Sequence, residues 1–295
     1  MLVLTGPSGN VGAALVDELA ERATSPWRVA CRHPEAQGER VGRAGGETAG
    51  LDFFDRSTWP SALAGIDELF LLFPLPGNRA AREAILPFLR FAEQAGCRHV
   101  VYVSVFGADK AAFIPHHKIE QHLFASTMSA TVLRCSFFMQ NLHRTISTHG
   151  IDIVERGELF VPAGSGRTTF VDARDVAVVA ADALLGPAPP SGDRVHHLTG
   201  PAALTMHEVA AALTRHLGYP VRYPRPGALR FAARLRARGV GWDSIGFMSA
   251  VYALTRFGLN EPRTDELAQL LGRPPRGLED FLADTAWRWH QRAWT

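Results

Sequence analysis

Leu2-Val3-Leu4-Thr5-Gly6-Pro7-Ser8-Gly9-Asn10-Val11-Gly12 is the stretch that decides the fold. A short apolar run enters three glycines at three-residue spacing and leaves them in the helix-like pattern Val11, Leu15, Val16, Leu19. Strand, turn and helix follow one another within a dozen residues. Such a turn gathers backbone N–H groups and a helix N-terminus at one point, and the missing Cβ at Gly6 and Gly9 admits a pyrophosphate to close range. Thr5, Gly6, Ser8, Gly9, Asn10 and Val11 are therefore the expected phosphate-binding positions, and Gly12 is expected to let the helix pack closely against the sheet. The spacing is G-x-x-G-x-x-G, not the G-x-G-x-x-G of simple NAD dehydrogenases.

Working outward, Trp27 to Arg32 reads as a second strand that ends in an arginine. An acidic residue there would accept the ribose hydroxyls of NAD, whereas Arg32 suits the 2′-phosphate of NADP. NADP(H) is the expected cofactor and NAD(H) the second choice. Leu51 to Asp55 reads as a short third strand that places Asp52 and Phe53 beside an adenine ring, with Asp55 as a helix cap. A fourth strand, Glu68 to Phe73, is apolar enough to be covered on both faces, and Pro74 to Asn78 stops it at the same rim, adding Phe73 and Pro74 to the cofactor set. An amphipathic helix from Arg79 to Ala95 leads to a fifth strand, His99 to Ser104, whose last residue again falls on that rim. A helix after Pro115, a sixth strand at Thr131 to Arg134, and a loop carrying Phe138, Met139 and Asn141 follow. These last three suit one wall of a pocket for a flat ring. Five repeats of strand, rim loop and helix predict a doubly wound parallel α/β sheet.

Beyond Gly150 the alternation fades. Val154 to Val161 and Arg167 to Val171 read as strands, Asp172 as the cap of a helix from Ala173 to Leu185, and Val195 to Thr199 as a further strand. Thr205-Met206-His207-Glu208 is a capping box for a helix ending at Gly218, and from Pro226 the chain reads as mostly helical. The expected organisation is a nucleotide-binding domain over residues 1–150, with 166–186 packed back on it. A smaller, mainly helical substrate subdomain takes 187–295 together with 151–165.

The whole chain of 295 residues carries a formal net charge of +2, so no overall field argues for nucleic acid or an anionic membrane. The arginine run at 230, 234, 236 and 238 lacks aromatic partners for nucleic acid and reads as a solvated helix face. Cys31, Cys97 and Cys135 stand far apart among apolar neighbours, which gives neither a disulfide framework nor a metal set. With no leader and no apolar run of membrane-spanning length, a soluble cytoplasmic protein is expected, with a small molecule as partner and a homodimer left open.

The chain resembles the NmrA-like group of atypical short-chain dehydrogenases, and within it the type 2 NAD(P)H-dependent quinone reductases. The resemblance rests on Thr5 to Gly12, Arg32, Val103-Ser104, His116 with Glu120, and Leu133-Arg134 through Asn141. It continues in Phe170-Val171-Asp172-Ala173-Arg174-Asp175, Leu198-Thr199-Gly200-Pro201 and Gly272-Arg273-Pro274-Pro275. It implies a Rossmann-type fold and hydride transfer from NADPH to a quinone-like or conjugated, flat substrate. Two alternatives stay open within it: a non-catalytic NADP(H)-binding redox sensor, and a secondary-metabolism reductase of an enone, imine or aromatic polyketide. Ordinary short-chain dehydrogenases use Tyr-x-x-x-Lys, followed in their extended branch by a glutamate four residues after the lysine. Anchoring on Glu120 puts His116 at the lysine position and Ala112 at the tyrosine position, so the usual proton donor is missing. The resemblance makes His116 and Ser104 the catalytic candidates, with Ser104 near the nicotinamide and His116 orienting ribose or substrate or donating a proton.

Overall fold

The computed structural model describes residues 1–73, 77–143, 148–186, 192–259, 261, 263–285 and 289. Two compact units divide the chain, one made of Met1–Cys135 and Val176–His197, the other of Ser136–Asp175 and Leu198–Thr295. The first segment of the first unit thus ends fifteen residues before the expected boundary at 150, and the expected return segment 166–186 is split between the units at Val176.

In the first unit seven strands stand in the order β3-β2-β1-β4-β5-β6-β9. They are β1 (Leu2–Thr5), β2 (Trp27–Cys31), β3 (Glu47–Gly50), β4 (Glu68–Leu72), β5 (His99–Val105), β6 (Ser129–Cys135) and β9 (Arg194–Leu198). All pairings from β3 to β6 are parallel. Order reverses between β1 and β4, the crevice where a doubly wound sheet binds its ligand. This is a Rossmann-type sheet, reached from apolar strands such as β1, all four residues of which are buried. Helices α1 (Asn10–Arg22), α2 (Glu35–Arg43), α3 (Trp59–Ala62), α4 (Asn78–Ala80), α5 (Leu86–Gln94) and α6 (Pro115–Phe124) connect the strands. Between α4 and α5, Ala81–Ile85 is wound as a π-helix. Pro87 lacks the N–H that would close on the Glu83 carbonyl, and the hydrogen-bond ladder widens just ahead of it.

The third strand is a correction. Leu51 to Asp55 lies after β3, not in it, and is closed by turns: Asp52 Oδ1 accepts from the Phe54 N–H at 2.9 Å, and the Asp55 side chain caps Arg56–Thr58. The real strand, Glu47–Gly50, is polar and half exposed at the sheet edge, so hydrophobicity pointed to the wrong five residues.

In the second unit β10 (Ala203–Thr205), β8 (Arg167–Val171) and β7 (Phe137–Phe138) form a three-stranded sheet. It is accompanied by α7 (Thr148–Arg156), the start of α8 (Ala173–Leu185), α9 (Met206–Leu217), α10 (Ala228–Ala237), α11 (Trp242–Arg256), α12 (Glu266–Leu271) and α13 (Leu278–Thr285). The capping box at Thr205 and Glu208 is present in both directions, and Gly218 closes α9 in the left-handed conformation. The strand expected at Val154 to Val161 is a second correction, because Val154 to Arg156 end helix α7. Gly157 stops that helix at φ +59°, where a Cβ would meet the Pro220 carbonyl oxygen at 2.6 Å. Inside α7, buried Asp152 receives Arg234 at 2.9 Å and Arg238 at 2.8 Å, partners more than eighty residues away.

Three stretches that carry the resemblance meet in this unit. The Asp175 carboxylate, fully buried, accepts from Arg273 at 2.7 Å, from the Arg276 backbone N–H at 2.7 Å and from the Arg276 guanidinium. A Cβ on Gly200 would stand 1.7 Å from the Phe170 carbonyl oxygen. Asp172 holds Arg174 through both carboxylate oxygens and accepts from its backbone N–H at 2.9 Å, capping α8 as expected. These motifs are joints of the scaffold.

Candidate functional site

The glycine turn has the geometry its spacing requires. Gly6 adopts φ +67°, and its carbonyl accepts from the Gly9 N–H at 3.0 Å. A Cβ on Gly12 would lie 2.0 Å from the Gly6 oxygen, so the third glycine lets α1 close on the turn itself, not on the sheet as expected. A Cβ on Gly9 would meet the Leu72 side chain at 2.6 Å, which seats the turn on the last residue of β4. Helix α1 follows its N-cap Gly9 without a side-chain cap and with no acidic residue in its first turn, so the positive end of its dipole favours an anion there. Ser8 is exposed beside it, while Val11 is buried and fixes the helix face.

Thr5 plays another part. Its hydroxyl donates to the Phe70 carbonyl at 3.0 Å and accepts from the Leu72 N–H at 3.2 Å. The side chain stands in for main chain and continues the β1–β4 seam while the backbone turns away at Gly6. Arg32 is exposed just past the end of β2 and makes no hydrogen bond or ion pair among the described residues. Asp52 and Phe53 follow β3, both half-buried, and Phe53 sits edge-on to Phe88 with centroids 4.9 Å apart. Pro74 lies outside the described residues.

From the turn, contacts lead directly to His116. Leu72, against Gly9, is followed by Phe73, whose buried ring meets the His116 imidazole edge-on at 5.3 Å. His116 stands in the first turn of α6, 9 % exposed, and its Nδ1 is 2.7 Å from the Tyr102 hydroxyl of β5. Burial pushes the imidazole down to about 4, so it is neutral across the physiological range. The phenol of Tyr102, wholly buried, is raised well above its ordinary value by the same cause and by nearby Glu120.

Two residues further along the same face of β5, Ser104 donates to Glu120 Oε1 at 2.5 Å. Glu120, one helical turn after His116, is 1 % exposed and takes the Arg134 guanidinium of β6 at 2.7 Å and 3.2 Å. Arg134 also faces Asp109 at 3.5 Å. Ser104 is itself 1 % exposed, its hydroxyl proton committed to a paired carboxylate. Glu120 and Arg134 thus form a braced ion pair under the strand ends.

The structure therefore brings Gly6, Gly9, Phe73, Ser104 and His116 together through β4, β5 and α6. Phe138, Met139 and Asn141 belong to the second unit: Phe138 ends β7 half-buried, Met139 is in that unit's hydrophobic core, and Asn141 is half-buried in the 3₁₀ turn that follows. Tyr102 as the partner of His116 was missed by the sequence reading. Its signal was available: Tyr102 and Ser104 share a strand face, as His116 and Glu120 share a helix face. No described group of residues has the make-up of a metal site, and no described helix is long and apolar enough to cross a membrane.

The fold and the glycine turn place the chain among Rossmann-type nucleotide-binding proteins. More narrowly, the NmrA-like family matches residues 1–235, and the chain belongs to it. An NAD(P)H azoreductase of Xenophilus azovorans is 31 % identical over 285 residues, covering 95 % of this chain and 96 % of its own length. Quinone oxidoreductase 2 of Escherichia coli is 26 % identical over 289 residues, covering 96 % and 98 %. The crystal structure of the E. coli NADPH-dependent quinone oxidoreductase QOR2 complexed with NADPH superposes with a TM-score of 0.81 at 24 % identity, over 96 % of this chain and 99 % of that one.

Proposed function

We propose that this protein is an NAD(P)H-dependent oxidoreductase that passes hydride to a quinone-like or otherwise conjugated, flat acceptor, with NADPH the preferred donor. The observation that carries the reading is His116, held neutral by burial and hydrogen-bonded to Tyr102 at the rim that the glycine turn opens. The relatives' names, an azoreductase and a quinone oxidoreductase, point to acceptors of the same conjugated kind.

The residues present fit a nicotinamide dinucleotide. Gly6 turns the chain at φ +67° with Gly9 and Gly12 packed against Leu72 and the Gly6 carbonyl, α1 offers an N-terminus with no side-chain cap, and Arg32 is exposed just past the end of β2. When bound, the nucleotide supplies a hydride. The first-turn N–H groups of α1 bind its pyrophosphate, Arg32 its 2′-phosphate, and Asp52 with Phe53 flank its adenine. His116 orients ribose or substrate through a hydrogen bond, and Ser104, fixed by Glu120, limits the nicotinamide end. Phe138 and Asn141, both half-buried, remain the proposed substrate contacts, while Met139 is taken up in the core of its unit. With its pKa near 4, His116 is a neutral imidazole at pH 7, whose one N–H is too weakly acidic to protonate an acceptor, so it acts as an orienting group. A conjugated acceptor suits that arrangement, because it spreads the incoming charge and takes its proton from water, whereas an isolated ketone needs an acid at its oxygen.

The test is a titration with NADPH and NADH followed, in the same cuvette, by quinones and azo dyes while nicotinamide absorbance is read. NADPH binding with acceptor-dependent oxidation is the expected result. Binding without oxidation of NADPH by any acceptor would move the reading to a sensor, and no binding would remove it.

A further inference from the structure

His116 has two ring nitrogens, and which one carries the proton decides what it offers a ligand. Its Nδ1 faces the Tyr102 hydroxyl at 2.7 Å. That phenol is completely buried, and among the described residues this is the only hydrogen bond it makes. Were Nδ1 the donor, the phenolic proton would be left in the core with no acceptor, an arrangement folded proteins avoid. The phenol therefore donates, Nδ1 accepts, and the single proton of the neutral ring sits on Nε2. That nitrogen makes no hydrogen bond among the described residues. Packing reinforces the choice, since Phe73 stands edge-on to the imidazole and the two rings of Tyr102 and His116 lie 5.9 Å apart at 30°.

We propose that Tyr102 is a positioning residue that locks His116 in its Nε2–H tautomer, so that the histidine presents one hydrogen-bond donor, and no acceptor, to a hydroxyl or carbonyl oxygen of the bound nucleotide or its acceptor. The ligand half of this statement rests on the proposed oxidoreductase function; the tautomer half does not. Selectivity follows from it. An oxygen lone pair is accepted at this point of the site, and a ligand group that can only donate is turned away.

The experiment uses the full-length protein labelled with 15N-histidine, read by long-range 1H–15N correlation at pH 7, with the His116 signals identified by their loss in His116→Gln. The expected wild-type spectrum has an unprotonated Nδ1 and a protonated Nε2. In Tyr102→Phe the nitrogen shifts move toward a mixture of the two tautomers, and the apparent Kd for NADPH or the KM for the acceptor rises about 3- to 10-fold, the worth of one neutral hydrogen bond, with kcat within about twofold. A wild-type spectrum showing Nδ1–H overturns the proposal whether or not the variant folds, and so does a folded Tyr102→Phe that keeps a pure Nε2–H ring. If the tautomer is as expected and changes in the variant while no nucleotide binds to either protein, Tyr102 retains its part and the oxidoreductase reading is what fails.

Discussion

A methyl group at Gly12 would stand 2.0 Å from the Gly6 carbonyl oxygen, with only backbone around it. One at Gly9 would meet the flexible tip of the Leu72 side chain at 2.6 Å and the nearest backbone atom, the Gly6 carbonyl oxygen, only at 3.3 Å. Gly12→Ala should therefore cost several times more stability than Gly9→Ala, on the order of 3 kcal/mol against 1 kcal/mol, and should abolish NADPH binding, as thermal unfolding and nucleotide titration would report. Equal effects would mean that the turn is not the close contact it appears. Arg32→Ala should weaken NADPH about 10- to 100-fold, the range of a charged hydrogen bond, and leave NADH within about twofold. The glycine turn was legible in the sequence because strand, turn and helix follow one another within a dozen residues. The part taken by Thr5 was not, because its hydroxyl serves a strand sixty-five residues away.

At the scale of elements, β5, α6 and β6 are tied by Tyr102 to His116, Ser104 to Glu120, and Glu120 to Arg134. Removing one charge of the buried pair strands the other. Arg134→Met should lower stability by about 3 to 5 kcal/mol in denaturant titrations, and adding Glu120→Gln should recover part of that loss. If the double variant were as unstable as the sum of the two singles, the residues would not be acting as a pair. The elements read correctly from sequence were those with a local signature, such as the buried strand Glu68–Leu72 and the boxed helix Met206–Leu217. Those misread were decided from afar. Val154 to Val161 has a strand-like composition, yet Asp152 inside α7 is held by arginines of α10 and the loop after it.

For the whole molecule, acid should be destabilising. His116 and His149, one in each unit, are both pushed down to about 4 by burial. Between pH 6.5 and 4 the unfolded chain binds protons that the native protein refuses, so stability falls as pH drops through that window, by up to about 3 kcal/mol for each histidine. Glu68 acts in the opposite direction. Desolvation raises its carboxyl to about 7, so it retains a proton in the native state that the unfolded chain has lost, and its contribution declines from pH 4.5 to 7. Denaturant midpoints at pH 7 and pH 5 should show wild type weaker at pH 5, and Glu68→Gln should widen that gap. The doubly wound parallel sheet was legible from the repeating strands and rim loops, but the division into units was not, because it follows contacts and not sequence position. A fragment ending at residue 150 should accordingly fail to fold cooperatively, as amide dispersion in an NMR spectrum would show. It lacks Asp182, which pairs with Arg22, and Asp193, which accepts from the Ala130 N–H at 3.0 Å.

The first unit leaves off at Cys135, resumes at Val176 and ends at His197. On the ribosome it is therefore delivered in two instalments, separated by forty residues that belong elsewhere. Strand β6 is complete at Cys135, and the strand that covers its open edge starts only at Arg194. At ~5–20 residues per second, that edge stands unpaired on the nascent chain for roughly 3 to 12 seconds. A bare strand edge invites any other extended segment to pair with it, so the interval between these two strands is when the growing chain is most exposed to association with its neighbours on the same message.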